Sequence, residues 1–200
     1  MSGKDIRICF IGDSLVQGTG DPLSLGWPGR LLQRLNGHGF VATGYNLGIR
    51  RETSEDIKQR WKTEAQRRLP AHGHNHLVFS FGVNDTTRDN GRLRVSLDQS
   101  ANNLKQILGQ AADLYPTLMI GPTPVCEDEQ SSRIAEFDLA YRWACEELSV
   151  SYLSVFDDLQ QAGIWDTEMR GGDGSHPGEG GYRLLSQLVA DSPLWWFREG

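Results

Sequence analysis

Short apolar runs alternate with amphipathic segments along the whole chain. Five runs are rich in apolar and β-branched residues, at 6–11, 40–47, 77–81, 117–120 and 150–156. They have the length of strands and are nearly continuous in apolar residues, which is typical of parallel strands covered on both faces. The pattern therefore predicts five strands.

The segments between these runs carry apolar residues at every third or fourth position. Such stripes lie within 31–35, 57–69, 97–111, 134–144 and 180–189. Strands that alternate with helices pair in parallel through right-handed crossovers, so the fold class is predicted as α/β, a three-layer α/β/α sandwich with a five-stranded parallel sheet. Because no repeat, low-complexity tract or linker interrupts the sequence, we expect residues 1–200 to form a single domain.

Composition excludes several classes of partner. The chain has 200 residues, a net charge of −6 and a pI of about 5.3, with scattered Lys and Arg, so neither nucleic acid nor an anionic membrane surface is expected to bind. No apolar run approaches the ~20 residues that span a bilayer, and the N-terminus resembles no signal peptide. The three widely spaced cysteines, Cys9, Cys126 and Cys145, are expected to be free thiols. We therefore expect a cytoplasmic protein.

Ligands of open α/β sheets bind at the carboxyl ends of the strands, so the residues that follow each predicted strand are the informative ones. These are glycines and polar residues. They occupy 12–15 (Gly-Asp-Ser-Leu), 46–48 (Asn-Leu-Gly), 82–85 (Gly-Val-Asn-Asp), 121–124 (Gly-Pro-Thr-Pro) and 157–158 (Asp-Asp), and 173–176 (Asp-Gly-Ser-His) precedes the last helix.

The predicted fold thus brings the residue types of a hydrolase with a nucleophilic serine to one edge of the sheet. Ser14 needs a base to take its proton, and His176 is a suitable base. Asp173 lies three residues before His176, close enough for a tight turn to bring its carboxylate to the imidazole. Acyl transfer also needs donors aimed at the developing oxyanion. The backbone N–H groups of Ser14 and Gly48 and the side-chain amide of Asn84 are candidates.

Each feature has a structural interpretation when it is taken alone. A Gly-Asp-Ser turn often only caps a helix, a lone glycine often only makes a turn, and Asn84 can belong to an Asx-type turn. Asp157 and Asp158 compete with Asp173 as the carboxylate that orients His176, whereas Asp13 is expected to fix the turn at Ser14. Their joint placement, with the pieces spread in order over the predicted strand ends, favours catalysis.

These motifs resemble the SGNH hydrolases, also called GDSL-type esterases and lipases. Four blocks match, at 12–15, at Gly48 within 46–49, at 82–85 and at 173–176. The resemblance implies a flavodoxin-like sandwich and an esterase with no metal and no cofactor, acting on a small-molecule ester. It also implies that Ser14 is the nucleophile, His176 the base and Asp173 its orienting acid, with Ser14, Gly48 and Asn84 as the oxyanion hole.

The sequence departs from the family pattern just after Gly48. Many members carry a second glycine and an aspartate there, whereas this chain has Arg51 and Glu52. The departure leaves the conformation of this loop open but does not affect the triad.

Other interpretations of the same sequence stay open. Acyl transfer to a sugar or another alcohol would use the same catalytic residues. The segment 13–20 can instead cradle a flavin or a phosphate, as loops in this sheet topology do, but that hypothesis leaves Asp173 and His176 without a role. Neither the acyl group nor the alcohol of the substrate follows from the sequence.

Two further clusters are interpreted without catalysis. His72, His74 and His76 resemble a metal cluster, but no cysteine or carboxylate nearby completes a ligand shell, and we expect a solvated loop. The aromatic segment 195–197 (Trp-Trp-Phe) would leave an apolar patch exposed, so we expect it to dock on the sheet. A contact in a homodimer is the second interpretation.

Overall fold

The structure, a computed structural model, describes residues 5–38 and 40–197. Seven strands lie along the described chain: β1 (Asp5–Gly12), β2 (Val41–Gly48), β3 (His74–Ser80), β4 (Arg88–Asp89), β5 (Arg92–Leu93), β6 (Thr117–Ile120) and β7 (Ser151–Leu153). Five of them form a parallel sheet in the order β2-β1-β3-β6-β7, while β4 and β5 pair as a small antiparallel hairpin.

Helices cover both faces of this sheet. In chain order they are α1 (Ser14–Gln17), α2 (Gly26–Gly37), α3 (Ser54–Arg68), α4 (Leu97–Ala112), α5 (Asp128–Leu148), α6 (Phe156–Gln161), α7 (Gly163–Arg170) and α8 (Glu179–Asp191). A 3-10 turn spans Asn84–Thr86. The α/β sandwich predicted from the sequence is confirmed.

The inner strand β1 is apolar from Ile8 to Ile11 because both of its faces are covered. Successive side chains of a strand point to opposite faces, and here each face meets its own core. Ile8 and Phe10 lie in the core that includes residues of α2, α7 and α8, whereas Cys9 and Ile11 lie in the core that includes residues of α3, α4 and α5. Both faces are therefore dry, and no position of the strand accommodates a solvated side chain between residues 8 and 11.

The sheet register brings three strand ends to the same level. Gly12 is paired with Gly48 of β2 on one side and with Ser80 of β3 on the other. A Cβ atom on Gly12 would lie 1.9 Å from the carbonyl oxygen of Ser80, so the two strands can end this close together only with glycine at position 12. The loops that leave β1, β2 and β3 consequently begin side by side.

Two strand boundaries differ by three residues from the sequence-based expectations, and the others differ by at most one. The fifth strand ends at Leu153, and Phe156 already begins α6. The third strand begins at His74, three residues earlier than expected, so His74 and His76 belong to β3 and not to a solvated loop. Polar residues at the start of β3 hid its true length, and α6 and α7 are too short for a periodic pattern to reveal them.

The aromatic segment at 195–197 docks near the start of β3. Trp195 is only 3% exposed, and the rings of Trp196 and Phe197 lie 4.7 and 4.8 Å from the ring of His76. Burial in this cluster lowers the pKa of His76. The expected docking is therefore observed for these residues. Among the described helices, none is both long and apolar enough to cross a membrane.

Candidate active site

Ser14, His176 and Asp173 form a continuous hydrogen-bonded chain. The Oγ atom of Ser14 lies 2.8 Å from Nε2 of His176, and Nδ1 of His176 lies 2.7 Å from Oδ2 of Asp173. Asp13 makes the turn that places Ser14 at the start of α1, because its Oδ1 accepts the N–H of Leu15 at 3.0 Å. The sequence interpretation of Asp13 as the residue that fixes this turn agrees with that contact.

The other oxygen of Asp173 anchors the turn that carries the histidine. Its Oδ1 accepts the N–H groups of Ser175 and His176, both at 3.0 Å. Partial burial alone would raise the pKa of Asp173, but the hydrogen bonds from the His176 ring and from these N–H groups hold it below its ordinary value. Asp157 and Asp158, the competing carboxylates, are exposed in the first turn of α6.

A carboxylate that the sequence analysis missed holds the segment after His176. Glu168 of α7 accepts the N–H groups of Gly178, Gly180 and Gly181 at 2.7–2.9 Å. These donors lie at the start of α8, where helical N–H groups have no partner inside the helix. Glu168 thereby fixes the backbone just beyond the histidine. Its only signal in the sequence is an acidic residue ahead of a glycine-rich helix start.

The loop after the nucleophile packs against the histidine from the other side. A Cβ atom on Gly20 would lie 2.9 Å from the carbonyl oxygen of Pro177 and 3.3 Å from Cβ of His176, and its φ of +88° is in the region that favours glycine. The hydroxyl of Tyr182 donates to the carbonyl of Thr19 at 2.7 Å. The segment is therefore held in place by α8.

Asp21 fixes the remainder of this loop. It pairs with Arg30 and accepts the N–H groups of Leu23, Leu25 and Gly26. Burial acts to raise the pKa of Asp21, but the bonds from Arg30 and the N–H groups outweigh it and lower the pKa. A buried ion pair of this kind determines a loop conformation because every remaining lone pair finds a donor.

The three expected oxyanion donors lie in different surroundings. Ser14 is the first residue of α1, so no carbonyl within that helix can accept its N–H. The Asn84 amide donates to the carbonyl of Glu52 at 3.0 Å and to Oδ2 of Asp13 at 3.3 Å. The Gly48 N–H donates to Oδ1 of Asn46 at 3.0 Å. It is thus already engaged by a neutral acceptor.

A buried polar network supports the turn that carries Asn84. Asp85 accepts the Ser54 N–H at 2.8 Å and the Ser100 hydroxyl at 2.5 Å, and Ser100 contacts the Tyr141 hydroxyl at 2.5 Å. Burial raises the pKa of Asp85. The network joins the start of α3 to the 3-10 turn and to α4 and α5, and only its Asp85 was within a motif seen in the sequence.

The described part of the chain contains no group of three or more His, Cys, Asp or Glu side chains placed to hold a metal ion. His74 and His76 lie at the start of β3, at the end of the sheet opposite to Ser14, and the ring of His76 packs against Trp196 and Phe197.

Comparisons with known proteins assign the chain to a family. The model of the GDSL-like lipase/acylhydrolase family matches residues 10–184. The chain belongs to this family. The match covers Ser14, Gly48, Asn84, Asp173 and His176, so the candidate catalytic and oxyanion-hole residues all lie within the family region. No curated protein matches the sequence.

Solved structures of a lipase/acylhydrolase and of an acetylxylan esterase share the fold. A lipase/acylhydrolase from Enterococcus faecalis is 21% identical, with 92% of each chain covered and a TM-score of 0.77. The acetylxylan esterase Axe2 from Geobacillus stearothermophilus is 18% identical, with 93% of each chain covered and a TM-score of 0.76. Structures described as catalytic mutants of Axe2, in which a serine, an aspartate or a histidine is replaced by alanine, are similar as well.

The departure from the GDSL family pattern after Gly48 has a conformational consequence. Arg51 adopts a φ of +68°, the left-handed region that glycine occupies without strain. This chain adopts the left-handed conformation with an arginine, where a glycine is expected from the family pattern. The following residue, Glu52, turns its carbonyl toward Asn84. The loop therefore supplies an acceptor to the Asn84 amide and stores some backbone strain.

Replacing Arg51 by glycine is expected to stabilise the protein. Glycine relieves the strain of the left-handed conformation, but it also gives the unfolded chain more conformational freedom. The net effect is an expected gain of about 0.5–1 kcal/mol in the free energy of unfolding. Urea unfolding would measure it. Arg50→Gly is the control, because Arg50 is not among the residues with positive φ and should lose stability. Equal losses in both variants would contradict the argument.

The buried carboxyl group of Asp13 is a second feature of the site that lowers the stability of the folded protein. Its side chain is buried, and burial raises its pKa to about 7, although the Leu15 N–H favours the charged form. A folded pKa above the unfolded value means that the folded protein keeps a proton that the unfolded chain has lost between about pH 4 and pH 7. Stability from this group therefore falls as the pH rises through that window.

Asp13→Asn is expected to remove this pH dependence. The free energy of unfolding of wild type minus that of the variant should fall by up to ~1.4 kcal/mol per pH unit between pH 4.5 and pH 7, and then level off. Urea unfolding of both proteins at several pH values measures this difference in the free energy of unfolding. The contributions of all other titrating groups are the same in both proteins and cancel. Parallel curves for the two proteins would show that the Asp13 carboxyl titrates near its ordinary pKa.

Proposed function

We propose that this GDSL-family protein is a serine esterase that cleaves carboxylic esters through an acyl-enzyme intermediate. The observation that carries the proposal is the chain from Ser14 Oγ to His176 Nε2 and from His176 Nδ1 to Asp173, with contacts of 2.8 and 2.7 Å. A serine within hydrogen-bond reach of a base, itself oriented by a third group, is the arrangement that activates a nucleophile.

In the first half-reaction, Nε2 of His176 takes the proton of Ser14 as Oγ bonds to the ester carbonyl carbon. Asp173 stabilises the resulting imidazolium and keeps Nδ1 protonated. The tetrahedral intermediate then collapses, the bond from carbon to the alkoxy oxygen breaks, and the alcohol leaves with the proton from His176. Water repeats the sequence on the acyl-enzyme, with His176 as base, and releases the acid and free Ser14.

The oxyanion would be bound by the N–H groups of Ser14 and Gly48 and by the Asn84 amide. The Gly48 N–H must then be shared with, or released from, Oδ1 of Asn46, which it reaches at 3.0 Å. The Asn84 amide must likewise share or release the longer of its two contacts, the one to Oδ2 of Asp13 at 3.3 Å. A developing oxyanion is a stronger acceptor than a neutral amide oxygen, because hydrogen bonds to charged groups are about twice as strong. The substrate is therefore able to compete for the Gly48 N–H.

The flavin- or phosphate-binding interpretation finds little support. A cradle of backbone N–H groups at 13–20 requires an open loop. Here Gly20 lies against Pro177 and His176, and the Thr19 carbonyl accepts the hydroxyl of Tyr182. The loop is thus packed against α8 and the histidine, which favours a role in holding the catalytic residues.

Ser14→Ala is expected to abolish hydrolysis of p-nitrophenyl esters, tested as a series from acetate to long acyl chains. Loss of the nucleophile should lower kcat by about 10⁴-fold or more while the far-UV circular dichroism stays unchanged. The chain length with the highest kcat/KM measures the acyl pocket, and added alcohols test acyl transfer against hydrolysis. Equal rates in both proteins would refute the role of Ser14.

Asn84→Ala is expected to lower kcat by ~10²–10³-fold, the effect of removing one oxyanion donor. Asn36→Ala is the matched control, because Asn36 also bonds backbone groups, those of Ala42, but at the opposite end of β2. Steady-state kinetics with the best ester of the series would compare the two variants. A turnover for Asn84→Ala close to that of the control would exclude Asn84 from the oxyanion hole.

A further inference from the structure

We propose that Arg60 of α3 is a positioning residue that sets the orientation of two oxyanion donors, the Gly48 N–H and the Asn84 amide. This inference rests on the esterase function proposed above. Arg60 lies far from the sequence motifs and was not a candidate in the sequence. Its side chain is only 15% exposed, and its guanidinium lies where the ends of β1 and β2 meet the loop before α3.

The guanidinium makes contacts to three segments of the site at once. Nη2 donates to the carbonyl of Gly12 at 3.1 Å and to the carbonyl of Leu47 at 2.8 Å, and Nε donates to the carboxylate of Glu52 at 2.7 Å. Nη1 donates to Glu64 at 3.1 Å, one turn further along α3. All three nitrogens are therefore used. Two of these four contacts lie on the strand ends that lead to Ser14 and Gly48, and a third lies on Glu52, whose carbonyl accepts the Asn84 amide.

The contact with Leu47 acts on Gly48 through the peptide bond. The Leu47 carbonyl and the Gly48 N–H belong to one planar trans peptide unit and point in opposite directions. Holding the carbonyl on one side consequently fixes the direction of the N–H on the other. Asn46 accepts that N–H at 3.0 Å, so this peptide unit is held from both sides.

The contact with Glu52 acts on Asn84. The carboxylate of Glu52 is paired with Arg60, and the main-chain carbonyl of the same residue accepts the Asn84 amide at 3.0 Å. The preceding residue, Arg51, is in the strained left-handed region, so this loop needs tertiary contacts to keep its shape. The ion pair with Arg60 supplies such a contact and thereby places the acceptor that orients Asn84.

Lysine cannot replace these contacts. A guanidinium is planar and presents five N–H donors in a fixed fork, whereas an ammonium is a compact point charge on a flexible stem. Arg60→Lys keeps the charge beside Glu52 and Glu64 but cannot reach both strand carbonyls and Glu52 in one geometry. The variant therefore separates the positioning of donors from the simple presence of a positive charge.

The test compares Arg60→Lys and Arg60→Gln with Arg68→Gln. Arg68 is the matched control, because it lies on the same helix and contacts the same Glu64, but it does not reach the strand ends. We expect both Arg60 variants to lower kcat about 10- to 100-fold, which is at most the effect of removing one oxyanion donor. The KM should change less than about threefold. Arg68→Gln should leave both constants near wild type.

A second measurement separates positioning from loss of structure. Butylboronic acid adds to a serine hydroxyl to give a tetrahedral anion, so its affinity reports the donors without turnover. We expect its Kd to weaken by the same factor as kcat/KM falls in the Arg60 variants, under conditions where urea unfolding shows them fully folded.

Several outcomes would overturn the inference. They are a kcat in both Arg60 variants equal to that of Arg68→Gln, a rise in KM with unchanged kcat, or a boronate affinity equal to wild type. Wild-type protein that lacks Ser14-dependent esterase activity would refute the proposed function itself. The two failures are thus distinguished by the wild-type reaction alone.

Discussion

The close approach of β1 to β3 at Gly12 is the constraint on which the site depends. A side chain at this position would meet the Ser80 carbonyl at 1.9 Å, so the strands can end at the same level only because Cβ is absent. Ser14 follows Gly12 by two residues and Asn84 follows Ser80 by four, and the register Gly12↔Ser80 brings the two loops together. Gly48, paired with Gly12 on the other side, completes the set of strand ends.

Buried carboxylates beneath this edge are stabilised to different degrees. Asp21 has a guanidinium and three N–H donors, and Asp85 has the Ser54 N–H and the Ser100 hydroxyl. Asp13 has one N–H from Leu15 and a longer contact from Asn84, and its pKa is raised to about 7 by burial. The least compensated carboxylate is therefore the neighbour of the nucleophile. An apolar residue would cost less there but would leave the Leu15 N–H without its acceptor.

The sequence predicted the parts of the fold and site that are local in the chain. Strands such as β1 appear as apolar runs, and Asp173 and His176 are three residues apart, so a turn suffices to join them. Glu168 and Asp21 escaped prediction because their acceptor oxygens bind main-chain N–H groups, which carry no sequence signature. The start of β3 was not predicted from the sequence for another reason. The ring of His76 is covered by Trp196 and Phe197, and only the tertiary structure brings those residues together.

Charged side chains at this site bind main-chain atoms more often than they bind each other, and the fold explains why. The carboxyl ends of parallel strands leave carbonyl groups without partners, and the helix starts beside them leave N–H groups without partners. Glu168 accepts such N–H groups at the start of α8, Asp173 accepts N–H groups of the turn before that helix, and the guanidinium of Arg60 donates to the carbonyl of Leu47 near the end of β2. Each contact satisfies a polar group and at the same time fixes a peptide plane next to the chemistry. A site at the carboxyl edge of a parallel sheet therefore gains its rigidity from the same unpaired groups that make this edge able to bind ligands.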